Sequence, residues 1–219
     1  MDDLDILASK IKTCELCPLS KNRTHAVPGE GPNKTKIVII GEAPGQMEDE
    51  QSRPFVGRSG QLLTRTLEEV GIPRKRVFIT NICKCRPPNN RNPTPDEMSI
   101  CSSNYLFKQI DAINPETIVL LGNIALEGVL GLKGITKYRG KFIERNGRNY
   151  LPTFHPSAAL RFIRNAEALR KDLALLTQPK PPKQAKISDL LGTKELEVSP
   201  DVETETKKRG TGRPTAWRF

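Results

Sequence analysis

The clearest indication of the fold is the sequence KIVIIGEAPGQMEDE, residues 36–50. Its four consecutive branched apolar residues, 37–40, predict a strand that is buried on both faces, as in a parallel sheet. Gly41, Pro44 and Gly45 predict a tight turn directly after that strand. Glu42 therefore stands in the loop beyond the carboxyl end of a strand, where open α/β sheets hold their ligands.

Two further apolar runs repeat the pattern. RVFIT (76–80) and TIVLLG (117–122) also predict buried strands, and helical patterns over 59–70, 95–112 and 123–130 follow the three runs. KFIER and NYLPTF on either side of NGR predict a hairpin or two final strands, and 157–176 predicts a closing helical segment. Alternating strands and helices predict an α/β fold with a central, mostly parallel sheet and right-handed crossovers.

The composition divides the chain in two at Pro179. Residues 1–178 are predicted to form the folded domain. Residues 179–219 hold few branched apolar residues and many prolines and charges, so they cannot bury enough surface to offset the entropy of ordering. We therefore expect a disordered, basic, proline-containing tail over 179–219.

Charge and hydropathy indicate which kinds of partner the protein is expected to have. Lys and Arg exceed Asp and Glu by ten, which favours a polyanionic partner such as nucleic acid, although an ordinary solvated basic surface also fits the charge. No apolar run approaches the roughly 20 residues of a transmembrane helix, and the start MDDLDILASK is acidic where a signal peptide would be basic. We expect a soluble, cytoplasmic protein with no membrane partner.

The five cysteines, in a chain with no predicted export signal, argue against a disulfide framework and for a metal or cofactor site. Cys14 and Cys17 have the C-x2-C spacing that directs two thiolates to one centre. Cys85 and Cys101 could complete the set. Cys83 would share a face with Cys85 if that segment is extended, so spacing does not choose between them. Four thiolates could hold zinc or an iron–sulfur cluster, and five unrelated buried thiols are the alternative.

Three further side chains stand in or beside restricted turns. His155 in FHPS follows the last apolar strand, and Pro156 fixes that turn, whereas His25 lies in a polar segment typical of the surface. Asn81 ends the second strand, where its amide could form a turn or bond a nucleobase edge. Phe55 in RPFVGRSG could pack in the core or stack on a base.

Together these segments resemble the family 4 uracil-DNA glycosylases, the iron–sulfur branch of the uracil-glycosylase superfamily. Six segments match in the family's order over about residues 14–161: CELCPL, GEAPGQMED, RPFVGRSGQLL, TNICKCRPPNNRNPTPDE, the cysteine at 101 and FHPSAALR. The resemblance implies a three-layer α/β/α fold and a monofunctional enzyme of base-excision repair. It would hydrolyse the N-glycosidic bond of deoxyuridine in DNA, leave an abasic site and need no divalent metal.

The resemblance also assigns the cysteines. It implies a structural [4Fe-4S] cluster held by Cys14, Cys17, Cys85 and Cys101, and it leaves Cys83 spare. The alternative function is a non-catalytic iron–sulfur protein on the same scaffold that binds DNA or senses redox state. A further alternative is an enzyme that prefers another deaminated base.

The uracil site implied by the resemblance is made of Gly41, Glu42, Ala43, Phe55, Asn81 and His155. His155 would donate to uracil O2 as negative charge develops there, and Glu42 would stabilise the sugar cation and orient water. Asn81 would pair with uracil O4 and N3–H. Many relatives in the wider superfamily carry a catalytic Asp at the position of Ala43, so Glu42 is expected to replace that carboxylate only in part.

Two more segments carry expectations about partners. In this family the segment after the HPS turn enters the DNA minor groove, which makes Leu160 and Arg161 wedge candidates, unless they simply begin a helix. QAKISDLL resembles the peptides that dock on sliding clamps, although two leucines replace the usual aromatic pair. The residues concerned are Gln184, Ile187, Leu190 and Leu191. We expect a monomer that binds uracil-containing DNA and, through the tail, a sliding clamp.

Overall fold

The computed structural model describes residues 3–178, 185–187 and 190. Its strands are β1 (Ile37–Gly41), β2 (Phe78–Asn81), β3 (Thr117–Leu121), β4 (Ile143–Arg145), β5 (Arg148–Thr153) and β6 (Ala185–Lys186). Its helices are α1 (Asp3–Lys12), α2 (Gln46–Gln51), α3 (Arg58–Glu69), α4 (Pro95–Cys101), α5 (Phe107–Ile113), α6 (Gly122–Leu130), α7 (Ile135–Tyr138), α8 (Pro156–Ala159) and α9 (Ile163–Ala174). Within these described ranges, no helix has the length and apolar character needed to cross a membrane.

A single six-stranded sheet organises the fold, in the order β2-β1-β3-β5-β4-β6. β2, β1, β3 and β5 are parallel, β4 is antiparallel to β5, and β6 is parallel to β4. The three apolar runs are therefore neighbouring strands of one parallel sheet, as predicted. β4 and β5 form the predicted hairpin, because Arg145 pairs with Arg148 and the two turn residues, Asn146 and Gly147, both have positive φ (52° and 72°).

Helices cover both faces of the sheet, which confirms the three-layer α/β/α arrangement. Along β1, Val38 and Ile40 belong to one apolar cluster and Ile39 to the other, as the alternation of side chains along a strand requires. The first cluster includes apolar residues of α1, α5 and α6, and the second includes those of α3 and α9.

Two predicted helical segments are interrupted. Within 95–112, residues Ser102–Leu106 form a π-helical turn between α4 and α5. The segment 157–176 is broken after α8, because Phe162 adopts extended backbone angles (φ −138°, ψ 120°) before α9 begins. Residues 160–163 are consequently an exposed corner at the carboxyl edge of the sheet rather than part of a long helix.

Part of the segment expected to be a disordered tail differs from that expectation. Ala185–Lys186 pairs with β4 as the outermost strand of the sheet, and Ile187 and Leu190 contact the first apolar cluster. The physical reason is that β4 offers unpaired backbone groups at a sheet edge, which an extended segment can satisfy. The remaining residues of 179–219 lie outside the described part of the chain.

Candidate active site

A cavity of about 300 Å³ lies at the carboxyl ends of β1, β2 and β5. Its lining includes five of the six residues that the family resemblance assigns to uracil, namely Glu42, Ala43, Phe55, Asn81 and His155. The sixth, Gly41, lies directly against the cavity wall, because a Cβ atom there would overlap both the Asn81 side chain and the Phe55 ring. A side chain at position 41 would therefore displace two of the residues that line the cavity.

Asn81 is fixed by the pairing of the two central strands. It ends β2 opposite Gly41, and the pairing continues beyond the strands through Ile82 N to Gly41 O (3.0 Å) and Cys83 N to Glu42 O (3.0 Å). The Asn81 side chain is buried, and its Oδ1 has no hydrogen-bond partner within the described part of the protein. A buried acceptor without a donor is costly, so this oxygen is suited to receive a hydrogen bond from a ligand in the cavity.

Phe55 forms another wall of the cavity in an unfavourable backbone conformation. Its φ is 52°, in the left-handed region, which costs a non-glycine residue about 1–3 kcal/mol. Its ring lies 5.7 Å from the His155 ring, with 37° between the two planes. At Gly60, the first turn of α3 passes so close to the Phe55 carbonyl that a Cβ atom would overlap it. The loop that carries Phe55 is therefore packed tightly against the first turn of α3.

Two charged side chains hold this loop by hydrogen bonds to its backbone. Glu48 Oε1 accepts hydrogen bonds from the amides of Val56 and Gly57, both at 2.8 Å. The Arg74 guanidinium donates to the carbonyls of Pro54 (2.6 Å) and Phe55 (3.2 Å). Hydrogen bonds to charged groups contribute about 1.5–3 kcal/mol each, enough to maintain the strained Phe55 backbone.

His155 caps the short helix α8, and the cap fixes its tautomer. Nδ1 accepts a hydrogen bond from Ser157 N (3.1 Å) and lies 2.7 Å from Ser157 Oγ. Burial lowers the pKa of His155 to about 4. The ring is therefore neutral at neutral pH, and since Nδ1 is an acceptor, Nε2 carries the proton. His155 can act as a neutral hydrogen-bond donor.

Glu42 brings a carboxylate to the same cavity. Burial raises its pKa above the usual value. Its backbone carbonyl is used in the strand pairing with Cys83, so the peptide that carries this side chain is fixed. Ala43 follows it and also lines the cavity, without a carboxylate. Glu42 and Glu48 are thus the acidic side chains in the lining, and Glu48 already accepts two amide hydrogen bonds.

Two arginines line the cavity, and three apolar side chains next to one of them in sequence are exposed. Arg161 lines the cavity, whereas Leu160, Phe162 and Ile163 leave 44%, 54% and 81% of their surfaces exposed. Arg91 also lines the cavity, but its guanidinium pairs with Glu97 at 2.7 and 2.8 Å. Of the two wedge candidates, Arg161 lines the cavity and Leu160 precedes it in the chain, and Phe162 and Ile163 are exposed apolar side chains that the sequence did not single out.

The cysteines lie in a separate, smaller cavity. Its lining includes Cys14, Cys17, Cys85 and Cys101, from the segment after α1, the loop after β2 and the end of α4. Cys83 is not part of this lining, and its thiol hydrogen-bonds to Cys101 instead. The structure thus separates Cys83 from Cys85, which spacing could not do.

Hydrogen-bond donors approach two of these thiols. Arg23 Nη1 donates to Cys85 Sγ (2.9 Å), and Lys84 N donates to Cys101 Sγ (3.3 Å). Burial raises the pKa of Cys85 to about 11, whereas the hydrogen bond from Cys83 lowers the pKa of Cys101 to about 7. Across the described ranges, no three His, Cys, Asp or Glu side chains converge closely enough to hold one metal ion.

The remaining predicted residues lie apart from both cavities. His25 is exposed, and its Nδ1 is 3.0 Å from the Asp49 carbonyl. Ile187 and Leu190 contact the first apolar cluster, and Gln184 and Leu191 lie outside the described residues.

Sequence reasoning missed Glu48 and Arg74. Their partners are backbone groups of a loop distant in sequence, which no local pattern reveals. The available signal was a carboxylate in the segment GQMEDE with no basic residue one helical turn away to pair with it.

Comparison with known proteins identifies a superfamily model and several similar proteins. The model of the uracil DNA glycosylase superfamily matches residues 28–177. The chain is 50% identical over 161 residues to a type-4 uracil-DNA glycosylase of Thermotoga maritima. The aligned region covers 72% of this chain and 83% of that protein. It is 44% identical over 184 residues to the type-4 protein of Pyrobaculum aerophilum, covering 79% and 92%. A type-5 uracil-DNA glycosylase of the same organism is 31% identical over 149 residues, covering 60% and 65%.

Proposed function

Because the chain belongs to the uracil DNA glycosylase superfamily, as a type-4 uracil-DNA glycosylase, we infer that it is a hydrolase of DNA repair. It cleaves the N-glycosidic bond of uracil in DNA, releases free uracil and leaves an abasic site. The alternative of a non-catalytic DNA-binding or redox-sensing protein is not favoured. The residues that perform the reaction are proposed below from the cavity at the carboxyl ends of β1, β2 and β5.

The unpartnered Asn81 Oδ1 is the observation that carries the proposed uracil site. Uracil has an N3–H donor beside the O4 acceptor, so one carboxamide can pair with both. Cytosine has a bare N3 and an amino group there, which would leave Asn81 mismatched at a cost of about 1–3 kcal/mol. The Phe55 ring would stack on the base, which must be flipped out of the duplex before its sugar bond is accessible.

We propose that His155 and Glu42 act on the two ends of the breaking bond. Negative charge develops on uracil O2, and the neutral His155 donates from Nε2 to that oxygen. Positive charge develops on the sugar, where the Glu42 carboxylate stabilises it and orients the attacking water. Ala43 supplies no carboxylate, and of the two acidic side chains in the lining, Glu48 already accepts two amide hydrogen bonds, which leaves Glu42 for this role.

We also propose that Cys14, Cys17, Cys85 and Cys101 hold an iron–sulfur cluster of the [4Fe-4S] type. Four thiols line one cavity, and the C-x2-C pair supplies two of them. This all-cysteine donor set fits an iron–sulfur cluster. When bound, the cluster would crosslink the N-terminal segment, the loop after β2 and α4, and it would take no part in bond cleavage.

DNA would be held beside the two arginines that line the cavity. We propose that the exposed corner 160–163 enters the minor groove, with Leu160 or Arg161 as the wedge and Phe162 and Ile163 as further apolar contacts. The proposed clamp peptide, Gln184–Leu191, would have to release Ile187 and Leu190 from the core before it could dock on a clamp. We propose that the enzyme acts as a cytoplasmic monomer.

The test of the proposed function uses oligonucleotides that carry uracil, hypoxanthine or thymine opposite guanine. After incubation and alkali treatment, we expect strand breaks at uracil. The absence of uracil-dependent breaks, in a preparation with full cluster absorbance, would contradict the proposal that the protein excises uracil from DNA. Breaks at hypoxanthine in preference to uracil would instead indicate another deaminated base as the substrate.

A further inference from the structure

Lys84 is a lysine in the interior of the protein. It is 1% exposed and is among the largest fully buried side chains of the described residues. It lies between the two cavities, three residues after Asn81 and one before Cys85. A buried ammonium group is costly unless it is hydrogen-bonded and its charge is balanced. The reaction proposed above does not use this residue.

The Lys84 ammonium is hydrogen-bonded to the end of β2. Nζ donates to the backbone carbonyl of Asn81 (2.7 Å) and to Thr80 Oγ1 (2.7 Å). Thr80 Oγ1 in turn donates to the carbonyl of Pro28 (3.0 Å), which ties the strand end to the neighbouring segment. The peptide that carries the Asn81 side chain is thus held by a charge-assisted hydrogen bond from inside the protein.

The backbone of Lys84 reaches the other cavity. Its amide donates to Cys101 Sγ (3.3 Å), and its carbonyl accepts from Val27 N (2.7 Å). No ion pair between Lys84 and a carboxylate is present in the described part of the chain, and Lys84 itself lines the cavity of Cys14, Cys17, Cys85 and Cys101. The four thiolates that would hold a bound cluster are therefore placed to supply the counter-charge of this lysine.

We propose that Lys84 is a positioning residue that couples the cysteine centre to uracil recognition. Its ammonium holds the Asn81 peptide so that the carboxamide faces the cavity, and the thiolate ligands balance its charge. This inference rests on the proposed uracil site and adds a role for the cluster: the anionic centre stabilises the cation that fixes the base-reading residue.

The first test is a double-mutant cycle on uracil binding, measured as inhibition of the enzyme by free uracil. Lys84→Met keeps the length of the side chain and removes the charge, and Lys108→Met on the exposed surface of α5 is the matched control. We expect Lys84→Met to weaken uracil binding about tenfold, as for one lost hydrogen bond to a charged group. Lys108→Met leaves binding unchanged, and Lys84→Met combined with Asn81→Ala is no weaker than Asn81→Ala alone.

The outcomes separate the two proposals. If Asn81→Ala does not change uracil binding, the proposed uracil site is wrong, and the role of Lys84 is lost with it. If Asn81→Ala weakens binding but Lys84→Met does not, or if the two effects add, the positioning role alone is overturned. Should Lys84→Met fail to fold, Thr80→Val removes one acceptor of the ammonium without touching a cysteine neighbour, and we expect a smaller loss that is likewise absent in the Asn81→Ala background.

The second test addresses the charge balance without measuring activity. Iron content is determined for wild type and Lys84→Met, and thermal unfolding is followed before and after oxidative removal of the cluster. We expect equal iron content before treatment and a larger fall in Tm for wild type, because only wild type then keeps an unbalanced buried charge. Equal falls in Tm would contradict the coupling between lysine and cluster.

Discussion

The imidazole of His155 is neutral because burial lowers its pKa to about 4, well below its ordinary value near 6.5. Between these values the unfolded chain binds a proton that the folded protein does not, so the contribution of this group to stability falls as the pH drops from 6.5 to 4. We expect the His155 resonances in an NMR titration not to shift between pH 8 and 5. His25→Asn leaves a single histidine to follow, and a midpoint near 6.5 would contradict the neutral donor.

Glu42 has the opposite shift, since burial raises its pKa and disfavours the ionised form that the reaction uses. We expect kcat/KM to fall as the pH drops through this raised pKa, and we expect Glu42→Gln to abolish that dependence while lowering the rate about 10²-fold or more. An ionised Glu42 also costs stability above its pKa, so Glu42→Gln should raise Tm at neutral pH. Near-full activity of Glu42→Gln would mean that catalysis rests on His155 and the uracil-binding backbone.

Asn81, His155 and Glu42 could be selected from the sequence because each follows an apolar run and stands in or beside a turn restricted by Pro or Gly. Glu48, Arg74 and Lys84 could not, because each contacts backbone groups whose proximity depends on the tertiary fold. The presence of Cys85 rather than Cys83 in the lining of the cysteine cavity likewise depends on the path of the chain after β2, which parity along an extended segment does not determine.

The loop that carries Phe55 depends on both of the charged side chains that hold it. Glu48→Ala leaves the amides of Val56 and Gly57 without an acceptor, so we expect kcat/KM for uracil-containing DNA to fall about 10-fold or more, mainly through weaker binding. Glu48→Gln keeps an oxygen acceptor and is the matched control, with most of the activity retained. Equal losses for Ala and Gln would show that the charge of Glu48, rather than its acceptor, is what the loop requires.

The strands and the hairpin could be predicted from the sequence, whereas the break between α8 and α9 could not. The strands and the hairpin follow from apolar runs and from Asn146–Gly147, which are local signals. The break at 160–162 was not predicted, because the sequence around Phe162 has no Pro or Gly to mark it. The corner is set by the packing of α8 and α9 against α3 and not by local sequence.

At the scale of the whole molecule, the order of the strands could not be read from the sequence, because apolar runs do not identify their neighbours. The edge strand β6 was missed for a related reason. It is two residues long and gains its stability from β4 and from the contacts of Ile187 and Leu190 with the core.

These contacts predict a measurable effect of truncation. Deleting residues 179–219 removes β6 and both side chains, and we expect the free energy of unfolding to fall by about 1–3 kcal/mol with uracil excision unchanged. Deleting residues 192–219 keeps those contacts and is the control. If both truncations leave stability unchanged, the segment 185–190 is not part of the folded domain.

The central claim is that Asn81 reads uracil in the cavity at the carboxyl ends of β1, β2 and β5. The most direct measurement is the rate of release of free uracil from a uracil-containing oligonucleotide by wild type and by Asn81→Ala, under single-turnover conditions and with equal iron content. We expect rapid release by wild type and a loss of about 10²-fold or more in the variant, with binding to undamaged DNA unchanged. Release by Asn81→Ala at the wild-type rate would contradict this claim.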